Sequence, residues 1–378
     1  MMLSWRRRKM NEYAVRLLTR MLEIYSPSGK EEAIANFIAK EMENLGFKVR
    51  KDRVGNVIGE VGHGRPTIML CGHMDTVTGF LPVRIEDSRL YGRGASDAKA
   101  PMAAMIVAAS AFADKENSGR IIVAGVVDEE GTSKGVKNLV KEGIPVDYAI
   151  FGEPSGVDKI TIGYRGNLRL RITCKTAGGH SAAHWLYENA IDKALEVWQE
   201  IKKIHFSSEK KESHFYNVDY CMTKISGGSG GSIVPSKCQI NIDIRISPPL
   251  STTQVLEEVR KSLIEYQKVN PRVSTKLIVE DSVEPFEANP RSPLVQALSR
   301  AIREVRRKTP VLLRKTGTGD MNIFGKVMSV PVVTYGPGDA TLSHTENEHI
   351  HLQEYLDGIE IIKRAISHLI CLHKETPS

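Results

Sequence analysis

The sequence has no long hydrophobic segment. Although 41% of its 378 residues are hydrophobic, no uninterrupted apolar run approaches the roughly 20 residues that a membrane-spanning helix requires. The basic residues 6–9 are followed by the polar Asn11 and Glu12, whereas a signal peptide continues with an apolar core. We therefore expect a soluble protein that neither spans a membrane nor is exported.

Paired cysteines, aromatic residues and concentrated positive charge are scarce as well. The five cysteines include no Cys-x-x-Cys pair, a pattern typical of reduced thiols in the cytoplasm. The net charge is +7, but only residues 6–9 and 303–308 form basic clusters, and aromatic residues account for 6%. Because nucleic-acid interfaces combine a basic stripe with aromatic side chains, we expect no nucleic-acid partner and interpret both clusters as solvated surface.

Hydrophobic periodicity predicts an α/β sheet interrupted by a second domain, as expected for a chain longer than one core usually fills. Ser28 and Glu31 have the spacing of a capping box that opens a helix ending near residue 45. Other predicted segments are helices at 10–24, 100–112, 134–141, 293–307 and 352–372, and strands at 56–60, 67–71, 120–127, 148–151, 311–314 and 331–334.

The middle of the chain shows a different order of elements. The segments there are strand 168–175, helix 189–204, strands 219–226 and 237–246, helix 252–268 and strand 274–281. This β-α-β-β-α-β order is typical of a ferredoxin-like fold. We therefore predict a discontinuous catalytic domain over residues 1–163 and 284–378, with an inserted domain over residues 164–283.

Histidines and carboxylates follow the predicted strands of the discontinuous domain. They are His73, Asp75, Asp97, Glu129, Glu130, Glu153 and His344. In open α/β sheets, ligands bind beyond the carboxyl ends of the strands. A set of nitrogen and oxygen ligands without thiolates suits Zn²⁺, Co²⁺ or Mn²⁺ in a catalytic site.

Each of these residues, taken alone, could also have a structural role that involves no metal ion. His73 could end a strand with no metal bound, and Asp97 could cap the helix that follows it. The consecutive acids that include Glu129 and Glu130 could form a plain acidic loop, although like charges crowded at a strand end are costly without a cation or a shared proton. Asp75 lies close enough to His73 to accept its second ring N–H and fix the tautomer.

Four motifs carry a resemblance to a known family. Gly-His73-Met-Asp75-Thr-Val, Gly-Arg-Gly-Ala-Ser-Asp97, Asp-Glu129-Glu130-Gly and Gly-Glu153-Pro occur in this order. They resemble the dinuclear metallohydrolases that include acetylornithine deacetylase, succinyl-diaminopimelate desuccinylase and the glutamate carboxypeptidases. The resemblance runs from about residue 10 to the last helix. It implies a zinc-peptidase-like α/β/α catalytic domain with an inserted ferredoxin-like α+β lid and dimerisation domain.

The resemblance also implies roles for the strand-end residues. His73 and Glu153 would bind one divalent metal ion, and Glu130 and His344 a second. Asp97 would bridge the two ions, which are expected to be zinc, with cobalt as the alternative. Glu129 would act as the base that deprotonates water and then protonates the departing amine, supported by Asp75.

Two residues of the inserted domain match the family as well. His180, in Ala177-Gly-Gly-His180-Ser-Ala, would stabilise the oxyanion in the active site of a neighbouring subunit, which implies a homodimer. Arg245 would bind a substrate carboxylate through its planar fork. The alternatives are a surface histidine on a turn and an exposed arginine on a strand.

Within the family, two segments indicate the substrate. Residues 126–135 and the string Lys315-Thr-Gly-Thr-Gly-Asp320-Met-Asn322 resemble hydrolases that release lysine or ornithine from the acidic amino-group carrier protein LysW. Asp320 is then expected to bind the cationic side chain of the substrate. The alternatives are a small-molecule deacetylase, desuccinylase or dipeptidase with the same metals, and a non-catalytic binding or scaffold relative. An intact Glu129 and a full ligand set argue against the last.

Overall fold

The computed structural model describes residues 2–113, 119–206 and 213–375 of the chain. The chain forms two compact units. The larger unit comprises residues 1–163, 288–314 and 319–378, and the smaller unit comprises residues 164–287 and 315–318. The sequence predicts domain boundaries at 163/164 and 283/284. That these boundaries separate domains which fold independently stays a prediction.

The elements are numbered in chain order. Up to the inserted segment they are α1 (Met2–Glu23), α2 (Glu32–Asn44), β1 (Lys48–Lys51), β2 (Val57–Val61), β3 (Thr67–His73), β4 (Arg84–Glu86), β5 (Arg89–Tyr91), α3 (Lys99–Ser110), β6 (Arg120–Val126), α4 (Lys134–Glu142), β7 (Tyr148–Gly152) and β8 (Lys159–Tyr164). The inserted segment contains β9 (Gly166–Lys175), β10 (Gly179–His180), α5 (Ala190–Lys202), β11 (Asp219–Gly227), β12 (Ile233–Val234), β13 (Lys237–Ile246), α6 (Thr252–Val269), β14 (Ser274–Val283) and β15 (Phe286–Glu287). The remainder contains α7 (Pro293–Arg306), β16 (Val311–Lys315), α8 (Asp320–Met328), β17 (Val332–Thr334), β18 (His349–His351) and α9 (Leu352–Glu375).

A mixed sheet forms the centre of the larger unit. Its strands follow the order β1-β2-β6-β3-β7-β17-β8, and β16 also pairs with β8. Strands β6, β3, β7 and β17 are parallel neighbours, so their carboxyl ends share one edge of the sheet. In β3 and β6 every residue after the first is buried, as expected for parallel strands covered on both faces.

Helix α3 packs directly on the middle of this sheet. It contacts β3, β6 and β7, while α1 and α9 pack against α3. All of its residues from Lys99 to Ala109 are buried, because it has the sheet on one side and other helices on the other. The loop before α3 is thereby fixed next to the strand ends.

The smaller unit contains a four-stranded antiparallel sheet. Its strand order is β11-β13-β9-β14, and α5 and α6 pack on it. Burial alternates along β13, which is the two-residue period of a strand with one face on a core. Leu170, Ile240 and Val197 belong to that core. The predicted ferredoxin-like fold is confirmed by this order of strands and helices.

The sequence predictions identify most elements of both units to within a few residues. Helix α1 begins earlier than predicted. The elements that were not predicted are β1, β8, α8 and the short strands β4, β5, β10, β12, β15 and β18. Strand β1 has the sequence Lys-Val-Arg-Lys and is largely exposed, so it lacks the apolar alternation that would reveal a strand. In the part of the chain that the structure describes, no helix is long and apolar enough to cross a membrane.

The predicted capping box is wrong. Helix α2 starts at Glu32, and Glu31 at its N-cap makes no side-chain capping bond. The Ser28 hydroxyl instead donates to Asp75 Oδ2 at 2.7 Å, and Glu31 Oε1 accepts from the Asp128 amide at 3.1 Å. Glu31 Oε1 also accepts from the nearby Gly29 amide at 2.8 Å. Both side chains therefore bond to segments beside the strand ends, and neither forms the predicted cap.

Candidate metal centre

The candidate metal centre lies at the shared edge of the parallel strands. His73 is the last residue of β3 and is 1% exposed. Its Nε2 atom lies 3.2 Å from Asp97 Oδ1 and 3.6 Å from Glu153 Oε1. One donor atom from each of these residues lies within 4.8 Å of the others, so the three side chains could hold one metal ion.

A second group shares Asp97 with the first. His344 Nε2 lies 2.8 Å from Glu130 Oε1 and 3.5 Å from Asp97 Oδ2. The two oxygens of Asp97 therefore face different histidines, as a carboxylate that bridges two cations would. His344 has a φ of +65°, a left-handed conformation that is costly for a residue with a side chain and is found preferentially at functional sites.

The charges in this cluster perturb one another. Burial opposes ionisation of Asp97, but its hydrogen bond to His73 and the nearby imidazole charges lower its pKa. Burial alone would lower the pKa of His73, yet the surrounding carboxylates raise it well above its usual value. Burial raises the pKa of Glu130, with a contribution from Asp97. Such crowding of anions around two imidazoles is the electrostatic setting that divalent cations stabilise.

Asp75 organises the backbone next to this cluster. Its Oδ1 accepts from the Glu129 amide and its Oδ2 from the Glu130 amide, each at 3.1 Å. His73 Nδ1 lies 2.9 Å from the main-chain oxygen of Asp75 but 3.6 Å from the carboxylate. Although burial opposes it, the charge of His73 and these hydrogen bonds lower the pKa of Asp75 to about 2. Asp75 therefore fixes the position of Glu129 and Glu130 as well as the ring of His73.

Glu129 belongs to neither group of potential metal ligands in the described residues. Burial raises its pKa well above the usual value, and the charges of Glu153, Asp320 and Glu130 act in the same direction. A carboxylate with a raised pKa, placed beside potential metal ligands, can accept and return a proton at neutral pH.

Comparison with known proteins identifies the family. The sequence model of peptidase family M20/M25/M40 matches residues 69–368. The chain belongs to this family. It is 36% identical to the LysW-lysine/LysW-ornithine hydrolase of Sulfurisphaera tokodaii over 98% of both chains. It is 31% identical to the LysW-lysine hydrolase of Deinococcus radiodurans, with 94% of this chain and 96% of the relative covered.

Solved structures of the M20 family share the fold. The Bacillus subtilis YXEP protein, described as a dinuclear metal binding peptidase of the M20 family, has a TM-score of 0.73 and 14% sequence identity. The alignment covers 98% of this chain and all of that one. At this identity the similarity establishes the fold alone.

Glu348 is a site residue of this M20 member that the sequence analysis missed. It is 1% exposed, and its Oε1 accepts from the amides of Gly94, Ser96 and Asp97, each at 3.0 Å. Its Oε2 lies 2.8 Å from Arg93 Nη1. Glu348 therefore holds the loop that presents Asp97. The sequence offers no way to choose Glu348 over the nearby acid Glu346, because only the fold buries one of them.

Asp320 lies in the same unit as the metal centre, at the start of α8. It is 3% exposed, and neither carboxylate oxygen has a hydrogen-bond partner of normal geometry among the described residues. Burial raises the pKa of Asp320 to about 7, although the Ser133 hydroxyl acts in the opposite direction. A buried carboxylate without a matched partner is costly unless it is protonated or binds a cation.

His180 and Arg245 belong to the smaller unit. His180 is exposed, and its Nδ1 accepts from the Ala182 amide at 3.1 Å. Arg245, on β13, has its Nε 2.9 Å from Asp243 Oδ1, so it has a carboxylate partner within its own strand. The predicted roles of both residues stay predictions.

Replacing Glu348 tests whether it supports the metal centre. Glu348→Gln should weaken Zn²⁺ binding roughly 10- to 100-fold, the usual effect of losing a group that positions a metal ligand. The reason is that an uncharged amide supports the Asp97 loop less well and leaves the buried Arg93 without a carboxylate partner. Competition with a chromophoric chelator measures the affinity. Glu346→Gln, at an exposed position two residues away, is the control, and equal affinities of the two variants would contradict this role.

Proposed function

We propose that this chain hydrolyses the amide bond that joins lysine or ornithine to the side-chain carboxyl group of the terminal glutamate of LysW. The observation that carries the proposal is full-length similarity to curated relatives named for this activity. This reaction would be the last step of carrier-linked lysine or arginine biosynthesis. A cytoplasmic location fits the five free cysteines.

The donor atoms fit two divalent metal ions, which we propose to be zinc, with cobalt as the alternative. His73 and Glu153 would hold one ion, Glu130 and His344 the other, and Asp97 both. Imidazole nitrogens and carboxylate oxygens without thiolates form a donor set typical of catalytic zinc. When bound, such a pair of ions lowers the pKa of a water molecule and polarises the amide carbonyl.

Glu129 is the proposed general base. Its carboxylate accepts a proton from the attacking water as the new C–O bond forms at the amide carbon. The same group then gives the proton to the amine nitrogen as the C–N bond breaks. The hydrogen bond from the Glu129 backbone amide to the Asp75 carboxylate holds Glu129 in place during both proton transfers.

The inserted segment would supply two further groups in this proposal. The family resemblance supports a homodimer in which His180 stabilises the oxyanion that forms in the active site of the neighbouring subunit. It also supports a role for Arg245 in binding the substrate carboxylate. Arg245 is paired with Asp243. To bind the substrate, it would have to break this ion pair and form one with the substrate carboxylate. Sedimentation velocity tests the dimer directly, and a monomer that is active at all concentrations would exclude it.

A panel of amides tests the substrate. Metal-loaded enzyme should release lysine or ornithine from the carrier-linked substrates faster than it releases amino acids from acetylornithine or succinyl-diaminopimelate. The physical reason is that binding energy from the carrier is available only with the carrier-linked amides. Amine release is the measurement. Turnover of the small amides alone would replace this proposal with a small-molecule deacetylase or desuccinylase.

Loss of the base should separate metal binding from turnover. Glu129→Gln should keep two metal ions per subunit, because all five proposed ligands remain, yet lower kcat by about 10²- to 10⁴-fold, the usual contribution of a general base. Metal content and single-turnover rates are the measurements. Glu346→Gln is a matched control on the exposed surface. A Glu129→Gln enzyme with near-normal kcat would refute the base role.

We also propose that Asp320 binds the cationic side chain of the substrate. Its buried carboxylate lacks a matched partner, so an ammonium group would compensate its charge. Asp320→Asn should reduce the preference for carrier-linked lysine over carrier-linked norleucine by roughly 10- to 100-fold, the equivalent of a hydrogen bond to a charged group. The ratio of kcat/KM values measures this preference. Asp320→Asn and Asp320→Ala enzymes with unchanged preference would reject the role.

A further inference from the structure

A cavity of about 660 Å³ lies between α7 and α9 in the larger unit. It shares no lining residue with the candidate metal centre. Arg291, Arg300, Arg303 and His368 line it, together with apolar side chains that include Val295. Its volume falls in the range of small-molecule sites, so the cavity has the size and the charge to bind a small anion.

The helical repeat of α7 places two of these cations, Arg300 and Arg303, on one face of the helix. Gln296, Arg300 and Arg303 lie four and three residues apart along α7 and therefore share one face of the helix. The basic cluster at residues 303–308 is divided as a result. Arg306 and Lys308 pair with Asp158 at 3.0 and 2.8 Å, whereas Arg303 lines the cavity.

The positive charge of the cavity is only partly compensated. Glu304 is the acid that pairs with its lining groups: it lies 3.1 Å from Arg300 Nε and 3.2 Å from His368 Nε2. Arg291 and Arg303 are exposed and form no ion pair within the part of the chain whose side chains the structure describes. Two guanidinium groups are therefore available to a ligand.

We propose that this cavity binds a small organic dicarboxylate. Each planar guanidinium can donate two parallel hydrogen bonds to one carboxylate, so Arg291 and Arg303 together match two carboxylates. The apolar side chains, such as Val295 and Leu312, would cover a short aliphatic body between them. Inorganic phosphate carries charge but has no apolar part to bury, and it is therefore the poorer match.

Titration calorimetry with glutarate tests the site in the metal-loaded wild-type enzyme. The wild type should show saturable binding. The Arg291→Gln/Arg303→Gln double variant should bind at least roughly tenfold more weakly, a change of about 1.4 kcal/mol, because both guanidinium groups are removed. The control is Arg272→Gln/Lys326→Gln, which removes the same charge at exposed positions elsewhere and should bind glutarate as the wild type does.

Four outcomes would overturn the proposal. The first is no saturable binding by the wild type, and the second is equal binding by the two double variants, which would place glutarate elsewhere. The third is equally tight binding of phosphate or butyrate, which would make the cavity a general anion site. The fourth is tighter binding of tetraglutamate than of glutarate, which would make it a peptide-docking surface. Amide hydrolysis should be unchanged in both double variants, so this test does not depend on the proposed reaction.

Discussion

Repulsion between carboxylates at one edge of the sheet is the constraint on which the candidate metal centre depends. Parallel strands bring Glu129, Glu130 and Glu153 to this edge, and the loop before α3 adds Asp97. Burial removes much of the water that would screen their charges, and the pKa values of Glu129 and Glu130 rise as a result. Two imidazoles relieve the repulsion only in part. Cations placed between these oxygens would relieve the remainder, which is why the same residues that strain the protein can serve as metal ligands.

Two carboxylates that face the backbone hold this cluster together. Asp75 accepts the amides of Glu129 and Glu130, and Glu348 accepts the amides of the loop that carries Asp97. Backbone amides are donors of fixed position, so each carboxylate converts a flexible turn into a defined one. The candidate metal ligands are thus oriented by Asp75 and Glu348, which are not themselves candidate ligands. A substitution at Asp75 or Glu348 would therefore change the positions of the candidate ligands without removing any of them.

The chemistry and the choice of substrate depend on different parts of the chain. In the proposed function, amide hydrolysis depends on the strand-end residues and Asp97 for the metal ions and proton transfer, and on His180 for the oxyanion. Selection of the amino acid is proposed to involve Asp320, which is outside that set and is buried in the same unit as the metal centre. The arginine-lined cavity between α7 and α9 is separate from both and adds a third chemical feature to the larger unit.

Sequence alone predicted most of the elements and the candidate ligands. The periodicity of apolar residues predicted the α/β sheet and the β-α-β-β-α-β insert, because burial imposes a period on the chain wherever one face meets a core. The position of His73, Asp97 and Glu153 after predicted strands or before a predicted helix was enough to group them, since parallel strands end at one edge. The family resemblance added the division of the ligands between two metal ions and the role of Glu129 in deprotonating water.

Tertiary structure alone decided which polar side chains bond to one another. Ser28 and Glu31 have the spacing of a local cap, yet the Ser28 hydroxyl bonds to Asp75, 47 residues away in the sequence. Glu348 and Glu346 are alike in the sequence, and only the fold buries the first. The basic cluster at residues 303–308 likewise contains both ion-paired and cavity-lining residues. Spacing along the chain predicts which face of a helix or strand a residue occupies. The partners of its hydrogen bonds and ion pairs are decided by the tertiary structure, which places distant segments against that face.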